Sequence, residues 1–141
     1  MKKVSSFIFM VVALLTISVH FTLANSPAPW SKYPDNSAMH FKDADSFYDS
    51  LDKKQYIEFE NAKLNIREKS YFKDINSVLS KADKYGKSRT GGEGYHPTRQ
   101  VYVFVSVSKD EKQYLTAVFD AETQRLISSS SNFERENPYG S

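Results

Sequence analysis

The stretch from Val101 to Val107 constrains the fold more than any other part of the chain. Val101, Val103, Val105 and Val107 fall on one face of an extended strand, with Tyr102 and Phe104 on the other, because side chains alternate with a period of two. A strand apolar on both faces is expected to pack one face on a helix and to leave the other partly covered or adhesive. The residues after this strand read as the remainder of a meander. Lys109-Asp110-Glu111 is a turn, residues 113–119 a second strand, Asp120-Ala121-Glu122-Thr123 a second turn and residues 124–130 a third strand. Connections this short join antiparallel neighbours, so a C-terminal three-stranded antiparallel meander is expected.

Two helices precede it. Asp43 is the candidate N-cap of a short helix in which Ala44, Phe47, Tyr48 and Leu51 recur at i, i+3, i+4 and i+7. Over 70–85 a longer helix is expected, with Ser70 as its cap and Phe72, Ile75, Val78, Leu79, Ala82 and Tyr85 as its apolar stripe. Gly86 then stands where a helix would stop in the left-handed conformation. Residues 55–66 (QYIEFENAKLNI) alternate in two short runs and read either as a hairpin over Asn61-Ala62 or as a strand followed by a helix start. The loop 86–98 holds four of the five glycines and is expected to be the mobile part.

Residues 1–24 carry a different message. Lys2 and Lys3, the apolar run Phe7–Ile17 and the ending Thr22-Leu23-Ala24 are the features of a cleavable secretory signal peptide, with an uncleaved membrane anchor over Phe7–Ala24 as the alternative. Cutting 1–24 from 141 residues leaves 117, enough for one domain, with no stable membrane span expected after cleavage. The expected order is an extended lead-in over 25–40, one α+β domain over 41–131 and a loose tail over 132–141. Lys2 and Lys3 account for the whole formal charge of +2, so the remaining chain is balanced at 17 basic and 17 acidic residues. Such a balance offers no electrostatic footprint for nucleic acid. Cysteine is absent, which removes thiol nucleophiles, cysteine-bound metals and disulfides, so this exported chain must fold on packing alone.

The segments Val101-Tyr102-Val103-Phe104-Val105, Val118-Phe119-Asp120-Ala121-Glu122-Thr123 and Leu126-Ile127 resemble the PepSY-type domains of secreted bacterial proteins, over about residues 68–130. Gln124 departs from the glycine usual in that family's turn, and the loop 86–98 is long for it. The resemblance implies an α+β fold, a helix packed on a small antiparallel sheet. It also implies a non-catalytic role in binding and restraining peptidases, exercised in trans because no peptidase domain accompanies it here.

Candidate chemistry is sparse. Asp43, Asp45 and Asp49 near His40 lack the ligand spacing and glycine of a calcium loop and read as helix-capping and solvated carboxylates. Gly91-Gly92-Glu93-Gly94 lacks the lysine of a phosphate loop, and no Gly-x-Ser-x-Gly elbow occurs. His96, near Glu93 and Arg99, reads as a surface loop histidine. No catalytic residue, metal or cofactor is expected, so the chain reads as a non-enzyme. Binding is expected at a sheet edge, 101–107 or 124–130, helped by the loop 86–98, with Tyr95, His96, Arg99, Tyr102 and Phe104 as partner-contacting residues. The function expected is a secreted or envelope-located protein-binding module, a regulator or inhibitor of an extracellular peptidase. The alternative is a matrix or envelope component that self-associates or binds wall polymer.

Overall fold

A computed structural model describes residues 29–132; the expected leader and all but the first residue of the expected tail lie outside them. The chain is α+β, with helices packed against a four-stranded antiparallel open sheet. In chain order the elements are α1 (Ala44–Ser50), β1 (Leu64–Tyr71), α2 (Ile75–Leu79), β2 (Gln100–Val107), β3 (Tyr114–Asp120) and β4 (Leu126–Ser131). Short 3-10 turns, Phe72–Asp74 and Ser80–Ala82, extend α2 at both ends. The strand order is β1-β2-β3-β4.

All eight residues of β2 are buried, which is what a strand apolar on both faces requires. On its valine face, Val101, Val103, Val105 and Val107 join Ile66, Tyr114 and Val118 beneath Ile75, Val78, Leu79 and Ala82. On its aromatic face, Tyr102 and Phe104 join Ala117 and Phe119 beneath Ala44, Phe47 and Tyr56. The second face is therefore covered by α1 and the segment after it. Asp43 caps α1 as its sequence position suggests, its Oδ1 accepting the Ser46 N–H at 2.8 Å.

Three local readings change. Ser70 caps no helix: β1 runs on to Tyr71, paired with Gln100 of β2, and the α-helical part of the segment shrinks to Ile75–Leu79. Long-range strand pairing has overridden local helical periodicity. Leu64 and Ile66 open β1 rather than a helix, and no hairpin strand forms before them. β1 then lies along β2, so β2 is an interior strand and the expected edge at 101–107 does not exist.

Gly86 is required for space rather than for a left-handed turn. It is absent from the positive-φ residues, and a Cβ placed there would lie 1.9 Å from Cε1 of Tyr114. In the two turns of the meander the left-handed positions fall on Glu111, with φ 62°, and Gln124, with φ 58°. A side chain in that region costs about 1–2 kcal/mol that glycine avoids, against glycine's larger loss of freedom on folding. Gln124→Gly is accordingly expected to stabilise the protein by up to about 1 kcal/mol, seen as a higher urea midpoint with an unchanged slope. An unchanged or lower midpoint would count against strain at this turn.

Candidate functional site

Tyr95 and His96 meet the lead-in rather than open solvent. Tyr33 forms a parallel bridge with Tyr95, and the His96 N–H donates to Tyr33 O at 2.9 Å. The rings of Tyr33 and Tyr95 stack at 4.2 Å, Phe72 stacks on Tyr95 at 4.8 Å, and Trp30 meets His96 edge-on at 5.1 Å. Burial, then the hydrogen bond with Tyr33, pushes the Tyr95 phenol up to about 12. His96 Nδ1 lies 2.8 Å from Thr98 Oγ1, whose hydroxyl donates to Asp35 Oδ1 at 2.8 Å. These contacts use the aromatic faces to hold chain to chain. The loop 86–98 is tied elsewhere too, through Arg89 to Asp83, Thr90 to Asn76 and Ser88 to Thr116.

Arg99 is not a surface residue. Only 2% of it is exposed, and its partner Asp120 shows 1%. Nε donates to Asp120 Oδ2 at 2.5 Å, Nη2 to Asp120 Oδ1 at 3.0 Å, and Nη1 to Pro34 O at 2.8 Å. Glu122 Oε2 lies 2.8 Å from Nη2. Asn36, also buried, accepts the Gln100 N–H on Oδ1 at 2.7 Å and the Gln100 Nε2–H on its carbonyl at 2.9 Å. The lead-in is thus fastened across the start of β2 and the end of β3.

Asp120 also accepts the N–H groups of Glu122 and Thr123, closing the turn by its own side chain. Burial alone would raise its carboxyl, but Arg99 and the two backbone donors outweigh that and hold it below the usual carboxylate range. Asp35, Asp43, Asp83 and Asp110 are also lowered, each chiefly by hydrogen bonds to its charged form. A carboxyl lowered on folding stabilises above its unfolded pKa and loses that contribution as pH falls through its folded one. Melting temperature should therefore be insensitive to these groups above about pH 5 and decline below about pH 4. A circular-dichroism melt series across that range checks it; a flat profile down to pH 3 would refute it.

Tyr102 and Phe104 are likewise withdrawn from any partner, at 1% and 0% exposure. The Tyr102 hydroxyl donates to Lys42 O at 2.8 Å, and both rings stack under Phe47. Of the five expected contact residues, Arg99, Tyr102 and Phe104 build the fold, while Tyr95 and His96 remain half-buried at the lead-in junction.

The other named edge, β4, keeps its outer side open among the described residues. It pairs with β3 on one side and, among the described residues, has no strand on its other side. The Asn132 N–H donates to Tyr114 O, so by antiparallel alternation Ser130 turns its N–H and C=O inward while Ser129 and Ser131 turn theirs outward. Beside β4, on the aromatic face, is a groove of about 310 Å³. Residues 53–57 form one bank and Leu115 with residues 129–131 the other. Lys53 and Lys54 are among its lining residues, and among the described residues no carboxylate lines it. Sequence reading misses these lysines because residues 52–63 carry no sustained period that would place them against a strand about 75 positions later.

Among the described residues no three His, Asp or Glu side chains gather as a metal site, and no helix is long and apolar enough to cross a membrane. Comparison with protein-family models, with curated proteins and with solved structures finds no match to this chain, so the PepSY resemblance stands on its residues alone.

Proposed function

We propose that this chain is an exported, non-enzymatic module that binds a protein partner by strand addition along β4, with peptidase regulation as the role implied by its PepSY resemblance. The observation that carries the reading is the character of the two sheet edges. β1 sets Arg67, Glu68 and Lys69 along its length, the charge pattern that protects edges from unwanted pairing. β4 reads LISSSS, with neither a charge nor a proline. Its one irregularity is the register shift opposite Val118/Phe119, which leaves Ser128–Ser131 as a regular run of edge. An extended segment laid there gains main-chain hydrogen bonds from Ser129 and Ser131.

Ser129→Pro tests it. Proline at an outward-facing edge position removes one donor while sparing the inner ladder. Residues 25–141, tagged and carrying or lacking this substitution, would be used to capture partners from the producer's culture fluid and envelope. A peptidase recovered by the wild type, inhibited in proportion to added protein, and lost with Ser129→Pro supports the proposal. Equal recovery by both proteins overturns the assignment to β4. Recovery of only the protein itself, with concentration-dependent sedimentation, would favour the self-associating envelope component instead.

A further inference from the structure

Resting on that edge reading, we infer that the occupant of β4 is an extended peptide with acidic side chains at alternate positions, seated against Lys53 and Lys54. A strand added beside β4 sends every second side chain to the aromatic face, and that face carries the groove. The groove's charge is one-sided, with two lysines and no carboxylate among its described lining residues. Lys53 is partly engaged: Nζ donates to Tyr48 O at 2.6 Å and lies 3.5 Å from the Tyr48 ring centre. Lys54 makes no ion pair among the described residues. The nearest acid in sequence, Asp52, spends Oδ1 on the Lys54 backbone N–H at 2.9 Å and is not part of the lining. Ile57, 56% exposed on the same bank, offers apolar contact to the aliphatic part of a glutamate-like side chain.

Charge also argues against a second copy as the occupant. Two β4 strands related by a two-fold axis run antiparallel, which brings the Ser129–Ser131 end of each, with Lys53 and Lys54, towards the Arg125 end of the other. Arg125 is exposed and makes no ion pair among the described residues. Like charges would face each other at both ends, and an acidic peptide meets the same charges with the opposite sign.

The test uses fluorescein-labelled peptides of alternating glutamate and valine, with glutamine-for-glutamate, lysine-for-glutamate and alternately N-methylated versions, titrated against residues 25–141 by anisotropy. The acidic peptide should bind, weaken with added salt, lose about tenfold in affinity with Lys54→Glu, and fail to bind when N-methylated. Lys54 is exposed, so this variant keeps the fold, and near-ultraviolet dichroism checks that it does. If the glutamine peptide binds as tightly and Lys54→Glu changes nothing, the acidic preference falls while the β4 edge survives. Binding that persists after N-methylation, or no binding by a peptide of any charge, removes the edge reading together with this one.

Discussion

Arg99→Ala is expected to cost about 3–5 kcal/mol at neutral pH, a fall in melting temperature well above 10 °C for a domain of about 100 residues. The magnitude follows from what is left behind rather than from the pair's net worth. Asp120 is 1% exposed, so deleting the guanidinium strands a carboxylate where water cannot reach it, with only the backbone donors of Glu122 and Thr123 remaining. Pro34 O loses its donor as well, which loosens the lead-in. The pH dependence separates this cause from simple loss of packing. In the wild type Asp120 is held low, so its contribution is present at neutral pH and lost in acid. In the variant, burial is no longer opposed by Arg99, and the carboxyl shifts upward. The gap between the two melting curves should therefore narrow as pH falls through about 4. A gap of constant size would mean that Arg99 acts through its bulk. Arg99→Lys should recover only part of the loss, because one ammonium cannot reach both Asp120 oxygens, Pro34 O and Glu122 together.

That arginine also marks the limit of reading this chain by sequence. Strands β2 to β4 and helix α1 are legible because each has a period and a turn or cap: alternating valines, the Asp120–Thr123 turn, Asp43 before Ala44. The helix expected from Ser70 does not form there because its first two residues carry information of both kinds, and pairing with Gln100 and Val101 decides the matter from thirty positions away. Arg99 reads as a surface residue because charged residues are rarely buried unless paired. Its pairing partner stands 21 positions later, in a turn whose aspartate already explains itself by capping its own backbone. Tyr102 and Phe104 read as available for binding because nothing local says that α1 lies on them. The acidic Asp45 hints at it only in retrospect: Arg67 of β1 bonds both Asp45 and Glu58, clipping α1 and the segment after it to the sheet.

Phe47→Ala should show how far the proposed groove depends on that clip. Phe47 is 1% exposed and lies over three rings of the aromatic face, with centroids 4.0 Å from Tyr102, 5.6 Å from Phe119 and 6.0 Å from Phe104. Truncating a buried phenylalanine costs about 3–5 kcal/mol. The loss here should not spread evenly. α1 has seven residues, too few to be helical without tertiary support, and its other buried side chain is only Ala44. The valine face, under α2, does not touch Phe47. Hydrogen exchange should thus show residues 44–51 opening at much lower free energy than in the wild type, while Val101–Val107 and Tyr114–Asp120 keep protection up to the reduced global limit. Residues 53–57, one bank of the groove, come directly after α1 and hold to it through Lys53 on Tyr48 and Tyr56 beside Tyr48. If the aromatic face presents the lysines to a peptide on β4, Phe47→Ala must weaken acidic-peptide binding although Phe47 touches no peptide. Intact binding alongside an opened α1 would show that β4 alone suffices and that the bank at 53–57 contributes nothing.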